Sequence, residues 1–258
     1  MPFTPSHMAA ALPFLRTPLM PAAVVAGTMA PDIPYYVPLF VPRDLSHSLL
    51  GLVTVDLLLG VLGVLAWWVV LRAPILDALP RRIGTRIAAS GRLGWRASGR
   101  GWPTTILVLV VSALIGGATH LIWDSFTHPG WLVDQVAVLR LQVGPLPLDK
   151  WLQHLSSVGG LVVVAIWAAR WLGRADPDPS RPTRLTGASR RVAWVLVLAA
   201  GILGGLVIWT HGMLSGTAPF DPNLVFLVAR FGIGLGGAAV LAVILFWYLA
   251  LREKPRTS

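Results

Sequence analysis

The chain has 258 residues, of which 55% are hydrophobic and 12% are charged, and its mean hydropathy is +0.70. A soluble domain carries roughly twice that charged fraction, so the composition excludes an ordinary soluble protein and favours a membrane protein. The net charge of +10 does not indicate nucleic-acid binding, because the positive residues lie in short loops between apolar segments rather than in a basic domain.

The first 48 residues are predicted to form short helices that lie in or on the outer leaflet of the membrane. Residues 8–29 are apolar, but they contain Arg16 and the three prolines Pro13, Pro18 and Pro21. Prolines interrupt helical hydrogen bonding, and a charged side chain in the hydrocarbon region is costly. A kinked membrane-spanning helix is the alternative for this segment.

Five apolar stretches follow, each close to or above the roughly 20 residues that an α-helix needs to cross a bilayer. They are predicted at about residues 49–71, 103–123, 151–172, 192–209 and within 224–251. The predicted fold is therefore an all-α, polytopic membrane helical bundle.

No polar stretch is long enough to fold alone, so residues 1–258 are predicted to form a single membrane domain. It comprises the N-terminal short helices (1–48), the transmembrane bundle (49–251) and a cytoplasmic tail (252–258).

Arginine is distributed unequally between alternate loops, and this predicts the orientation of the chain. Residues 81–100 contain six arginines and no acid, and residues 174–191 contain five arginines and two aspartates. The intervening loops carry only Arg140 and Lys150 as positive charges. By the positive-inside rule, the arginine-rich loops and the C-terminus are cytoplasmic.

All six histidines fall near the opposite, outer side if the N-terminal segment does not cross the membrane. These are His7, His47, His120, His128, His154 and His211. Because the chain has no cysteine, a metal site would have to use histidine, acidic or backbone oxygen ligands.

The densest group is the segment from His120 to His128. His120 and Asp124 are four residues apart, so they project from one helix face about 40° apart and can bind one metal ion. Pro129 and Gly130 then end the helix next to His128. Alone, the pair is also typical of a polar helix end at the membrane surface.

Two further segments offer ligands of the same kinds. Asp32 lies in a stiff turn between Pro31 and Pro34, although such an aspartate can also simply cap a turn. His47 precedes the first predicted span. A Zn²⁺ or Mn²⁺ site is therefore predicted, whose ligands are His7, Asp32, His47, His120 and Asp124. His128 is predicted to be an additional ligand or a supporting side chain.

Three other polar residues are predicted to lie near this site. His154 begins the third span and is expected to support the ligands. Asp56 and Arg230 lie inside predicted spans, where charges usually pair or face a cavity, so they are expected to form a salt bridge or to flank the site. The alternatives for Arg230 are that it binds an anionic headgroup or that it extends outward to the membrane surface.

The motifs PFTPSHMAAALPF, GTMAPDIPYY, LSHSLLG, GGATHLIWDSFTHPG and PLDKWLQHLSSVGG resemble an uncharacterised family of bacterial multi-pass membrane proteins, known only as a domain of unknown function. The pattern is similar, more distantly, to membrane-bound metal-dependent hydrolases of the bacterial inner membrane. The matching positions are His7, Asp32, His47, His120 and Asp124.

The sequence departs from those hydrolases at two places. Ser46 stands where the relatives often have threonine, and Tyr35 and Tyr36 follow the Pro-Asp turn where the relatives have a second histidine. The second departure argues against a two-metal site.

The resemblance implies a multi-pass protein of the bacterial inner membrane that hydrolyses a lipid-linked or phosphoester substrate at the outer face. A bound metal would lower the pKa of a water molecule, and Asp32, Asp124 or a histidine that does not bind the metal would act as the general base. The alternative is a non-enzymatic scaffold or transporter with a structural metal site. The sequence does not indicate an oligomeric state.

Overall fold

The computed structural model describes residues 3–37, 39–89, 101–178 and 183–251, and most of these residues are helical. Among the described residues, five helices are long and apolar enough to cross a membrane, which confirms the predicted all-α class. In chain order the first to fifth long helices are Leu49–Ala78, Trp102–Thr127, Leu148–Arg174, Gly187–Leu214 and Pro222–Phe246.

Shorter elements connect the long helices. The 3-10 helices are Thr4–Arg16, Ala30–Asp32 and Ala137–Arg140. The short α-helices are Pro21–Met29, Ile33–Tyr36, Arg43–Ser46, Arg81–Ala89 and Trp131–Gln135. A small antiparallel hairpin pairs Gln142–Val143 with Leu146–Pro147, and a π-helical segment, Trp247–Leu251, extends the fifth long helix.

The chain divides into two compact units. The first unit comprises Met1–Pro34, Leu39–Ala66 and Gly91–Arg174, and the second comprises Tyr35–Pro38, Trp67–Ser90 and Ala175–Ser258. The expectation of a single membrane domain stays a prediction. The predicted cytoplasmic tail and parts of both arginine-rich loops lie outside the described residues.

The first long helix begins at a serine cap and contains two π-helical segments. The Ser48 hydroxyl accepts a hydrogen bond from the backbone N–H of Gly51, which satisfies a donor that the first helical turn leaves without a partner. The π-helical segments are Leu52–Asp56 and Trp67–Leu71. Such segments are rare and are frequent at functional sites, and the first one ends at Asp56.

The second long helix ends where proline requires it to end. His128 adopts an extended conformation (φ −127°, ψ 148°) directly before Pro129. The ring of a proline disfavours the α conformation in the preceding residue. His128 is therefore turned out of the helix, while its backbone N–H still donates to the Asp124 carbonyl oxygen.

The N-terminal segment forms short helices, as predicted, and the two longest, Thr4–Arg16 and Pro21–Met29, pack against long helices. The Thr4–Arg16 helix packs on the third long helix, where the Phe3 N–H donates to the Ser157 hydroxyl. The Pro21–Met29 helix packs on the second long helix, and the Met20 N–H donates to the Ser112 hydroxyl. Ser112 is 12 residues before Asp124, about 18 Å along a helix axis.

Glycines permit this close packing of the N-terminal segment. A Cβ atom on Gly27 would overlap the Ala113 carbonyl oxygen, and one on Gly116 would overlap that of Val24. The Pro21–Met29 helix therefore approaches the second long helix at backbone distance, near the middle of that helix.

Candidate metal centre

Five histidine and aspartate side chains from separate segments of the first unit meet at one place. His7 comes from the Thr4–Arg16 helix, Asp32 ends the turn Ala30–Asp32, and His47 follows the short helix Arg43–Ser46. His120 and Asp124 both come from the second long helix, one turn apart. We call these five residues the His/Asp cluster.

Asp124 lies at the centre of the His/Asp cluster. Its Oδ1 atom is 3.5 Å from His7 Nε2, and its Oδ2 atom is 3.6 Å from the Nε2 atoms of both His47 and His120. The helical spacing of His120 and Asp124 thus places imidazole and carboxylate side by side, as their i, i+4 relationship requires.

Asp32, at the end of the 3-10 helix Ala30–Asp32, lies close to two of the same histidines. Its Oδ1 atom is 3.5 Å from His47 Nε2 and 3.7 Å from His120 Nε2. The ligand atoms of His7, Asp32 and His120 all lie within 4.8 Å of one another, as do those of His47, His120 and Asp124. The described part of the chain therefore contains His/Asp groups that could hold a metal ion.

Five atoms of the cluster that could bind a cation are buried and have no hydrogen-bond partner in the described part of the chain. His120 has 0% and Asp32 has 1% of its surface exposed. His7 Nε2, His120 Nε2, Asp32 Oδ1 and both carboxylate oxygens of Asp124 have no hydrogen-bond partner. Each such buried atom costs about 1–3 kcal/mol, so their arrangement around one point fits a bound cation.

Hydrogen bonds on the far side of two imidazoles turn the Nε2 atoms toward the centre. His120 Nδ1 lies 2.8 Å from the Thr28 carbonyl oxygen, which can only accept, so Nδ1 carries the proton. The Ser46 hydroxyl donates to the Arg43 carbonyl oxygen and so accepts from His47 Nδ1, 3.0 Å away. Such outer contacts fix the tautomer of metal-binding histidines.

The carboxylate of Asp32 is oriented in a similar way. The Thr4 hydroxyl donates to Asp32 Oδ2 over 2.6 Å, which leaves Oδ1 directed at His47 and His120. Thr4 precedes His7 by three residues on the same 3-10 helix, so one segment supplies both a ligand atom and the support for another ligand.

Burial lowers the pKa of His7 below its ordinary value, and the neighbouring His120 lowers it further, against the opposing effects of Asp124 and Asp32. His7 is therefore neutral at pH 7. A neutral imidazole is the form that binds a metal ion.

His128 lies beside the cluster. Its Nδ1 atom is 3.4 Å from Asp124 Oδ2 and 3.0 Å from the Thr127 hydroxyl, and its Nε2 atom is buried without a hydrogen-bond partner. Next to it, the Lys150 ammonium donates to the Thr127 carbonyl oxygen over 3.2 Å and to the Gln153 side chain over 3.0 Å.

The other three residues that the sequence suggested are placed differently. His154 is exposed on the third long helix and belongs to neither group of converging ligand atoms. Asp56 is 2% exposed, and neither of its carboxylate oxygens has a hydrogen-bond partner. Arg230 is half-buried on the fifth long helix, in the second unit, and its pairing with Asp56 stays a prediction.

Three groups that orient the candidate ligands were not predicted from the sequence, namely the side chains of Thr4 and Ser46 and the carbonyl group of Thr28. Thr4 and Ser46 could have been suspected, because each is a hydroxyl residue close to a predicted ligand histidine in the chain. The Thr28 carbonyl carried no such signal, since any residue at that position supplies the same group.

A family model described as a domain of unknown function (DUF4184) matches residues 1–248. The chain belongs to the DUF4184 family. The match includes all five long helices and every residue of the His/Asp cluster, so the DUF4184 family description covers the whole candidate site without assigning it a function. No curated protein and no solved structure matches the sequence.

Proposed function

We propose that this DUF4184 protein is a membrane-bound, metal-dependent hydrolase that acts on a lipid-linked or phosphoester substrate at the outer face of the bacterial inner membrane. The observation that carries the proposal is the convergence of five histidine and aspartate side chains, whose ligand atoms form two groups of three that share His120. The sequence motifs that led us to expect a resemblance to membrane-bound metal-dependent hydrolases include these five residues.

The donor set favours zinc or manganese over calcium or magnesium. Three imidazole nitrogens and two carboxylates suit borderline transition metals, whereas calcium and magnesium prefer oxygen ligands. Both converging groups share His120, whose Nδ1 atom is protonated by its contact with Thr28. His120 then has one lone pair to offer, at Nε2, which favours a single cation.

When bound, the cation would supply Lewis-acid chemistry, lowering the pKa of a water molecule and polarising a phosphoryl or acyl oxygen. Within the His/Asp cluster, Asp32 and Asp124 direct carboxylate oxygens at the histidine nitrogens and act as ligands.

His128, which lies beside the His/Asp cluster, is the proposed general base. Its Nδ1 atom is held against Asp124 and Thr127, which leaves Nε2 as the position that accepts a proton from the attacking water. The Lys150 ammonium lies next to His128, where it contacts the Thr127 carbonyl oxygen and pairs with Asp149 at 3.3 Å.

The rival proposal is a non-enzymatic scaffold or transporter with a structural metal. Transporters generally bind their substrate near the bilayer midplane, at broken helices. Asp124 lies only three residues before the end of the second long helix, about 5 Å along its axis, which argues against transport. A scaffold would hold the metal equally well but would not need His128.

The test combines elemental analysis of detergent-purified protein with hydrolysis assays on a chromogenic phosphodiester and a chromogenic carboxylic ester. His120→Ala is expected to lose the bound metal, whereas His154→Ala is expected to retain it. His128→Gln is expected to retain the metal and to lose about 100-fold or more in hydrolysis rate.

The outcomes separate the two proposals. Purified wild-type protein without stoichiometric metal would refute the metal centre itself. A metal-loaded wild type that hydrolyses neither probe, or a His128→Gln variant that is as active as wild type, would instead favour the scaffold.

A further inference from the structure

A groove of about 690 Å³ lies between the Thr4–Arg16 helix and the third long helix, away from the His/Asp cluster. Leu12 and Arg16 line one side of it. The other side is a single face of the third long helix, because its residues recur at intervals of three and four from Val163 to Arg174.

Three arginines from two different helices line this groove. They are Arg16, Arg170 and Arg174, and all three are exposed. No acidic side chain in residues 3–37, 39–89, 101–178 or 183–251 forms an ion pair with any of them. Like charges gathered in one groove repel one another, so the arrangement is favourable when an anion binds between them.

The remainder of the groove is apolar and aromatic. Leu12, Val163 and Ile166 supply its aliphatic surface, and Trp167 and Trp171 stack with ring centroids 6.2 Å apart at an angle of 19°. Tryptophan is enriched at the boundary between the hydrocarbon and headgroup regions. The groove thus combines an aliphatic surface and stacked indoles, which suit an acyl chain, with an arginine cluster, which suits the phosphate of a phospholipid.

The groove lies at the far end of the third long helix from the His/Asp cluster. Ser6, next to His7, packs against Gly160, because a Cβ atom at Gly160 would meet the Ser6 backbone. Arg174 lies 14 residues, about 21 Å, further along the same helix. The distribution of arginine predicts that this end is cytoplasmic, and the cytoplasmic leaflet carries anionic lipids.

We propose that this groove binds one anionic phospholipid of the inner leaflet. Arg16, Arg170 and Arg174 hold its phosphate, and one acyl chain lies against Leu12 and Val163. The lipid joins the Thr4–Arg16 helix to the third long helix, and so supports the segment that carries His7. The inference does not depend on bound metal or on hydrolysis.

The test measures binding of phosphatidylglycerol and of zwitterionic phosphatidylcholine to the full chain in a neutral detergent, by native mass spectrometry. Wild type is expected to bind one phosphatidylglycerol at least about tenfold more tightly than phosphatidylcholine. Arg16→Gln and Arg170→Gln are each expected to weaken phosphatidylglycerol binding by about tenfold and to leave phosphatidylcholine binding unchanged. Arg140→Gln, an exposed arginine elsewhere in the first unit, is the matched control and is expected to have no effect.

A second variant tests whether the anion belongs to a lipid. Val163→Trp fills the aliphatic part of the groove while retaining all three arginines, and is expected to weaken phosphatidylglycerol binding by at least about tenfold, as the lost chain contacts predict. Three results would each overturn the proposal. Wild type could bind both lipids equally, Arg140→Gln could lose as much phosphatidylglycerol binding as Arg16→Gln, or millimolar inorganic phosphate could compete fully with the lipid. If Arg16→Gln loses phosphatidylglycerol and phosphatidylcholine together, that variant has lost its fold, and Arg16→Lys is measured in its place. Unchanged phosphatidylglycerol binding by Arg16→Lys supports the charge contact, and a complete loss overturns it.

Discussion

His120 donates a hydrogen bond from Nδ1 to the backbone carbonyl oxygen of Thr28, 2.8 Å away, although the two residues are 92 positions apart in the chain. This bond joins the Pro21–Met29 helix to the second long helix and directs the Nε2 lone pair of His120 at Asp32 and Asp124. The carbonyl group cannot be changed by a side-chain substitution, so the equivalent contact of His47 offers the better test.

Ser46→Ala should weaken metal binding about 10–100-fold without unfolding the protein, because it removes the acceptor that orients His47. The measurement is zinc affinity by competition with a chromophoric chelator. Ser48→Ala is the matched control, since Ser48 caps the first long helix; it should lower stability by about 1 kcal/mol and leave zinc affinity unchanged. The opposite pattern in the two variants would contradict the assigned role of Ser46.

Gly160→Ala should lower both the melting temperature and the bound metal, whereas Gly159→Ala should lower neither. A Cβ atom at Gly160 would lie 2.8 Å from the Ser6 carbonyl oxygen, but one at Gly159 would meet nothing within 4 Å. The first substitution displaces the helix that carries His7, and overpacking of this kind costs typically about 1–3 kcal/mol. Thermal unfolding and elemental analysis measure the two effects. Equal melting temperatures and equal metal contents in the two variants would show that the Thr4–Arg16 helix does not pack against Gly160.

Asp77→Ala should destabilise the second unit by about 3 kcal/mol or more, because it removes the acceptor for several buried donors. The Asp77 carboxylate accepts hydrogen bonds from the backbone N–H groups of Arg184 and Leu185 and from the Trp247 indole, and it lies 3.5 Å from the Arg190 guanidinium. Thermal unfolding in detergent measures the loss. Asp176→Ala, which removes an exposed carboxylate of the same unit, should change stability by less than about 0.5 kcal/mol.

Single-cysteine labelling should establish the orientation, because the chain has no cysteine of its own. Phe220→Cys lies between the fourth and fifth long helices, and Ala188→Cys lies at the start of the fourth. Both positions are exposed. An impermeant maleimide added to intact cells should label only Phe220→Cys, and labelling of Ala188→Cys alone would place the His/Asp cluster on the cytoplasmic side.

Acidification should release the metal, because protons compete for the Nε2 atoms of three histidines. Because the pKa of His7 lies below its ordinary value of 6.5, this imidazole stays neutral to a lower pH than an unperturbed histidine does. Its affinity for metal therefore persists to a lower pH. Bound zinc after dialysis should therefore be constant above about pH 7 and should fall as the pH drops below about 6. Retention of all the metal at pH 4 would contradict binding through histidine.

The five long helices could be predicted from the sequence because the bilayer imposes a minimum length and an apolar composition on any spanning helix. The proximity of His120 and Asp124 was equally predictable, since the helical repeat places residues four apart on one face. These features depend on local rules that act within one segment of the chain.

Only the tertiary structure decided that His7, Asp32 and His47 lie next to His120 and Asp124. That arrangement depends on the path of the N-terminal segment, which the prolines and Arg16 left ambiguous. It is decided by the glycines that let the Pro21–Met29 helix approach the second long helix at backbone distance. Steric fit between residues about 90 positions apart has no local sequence signal, so the sequence alone could name the candidate ligands but could not bring them together.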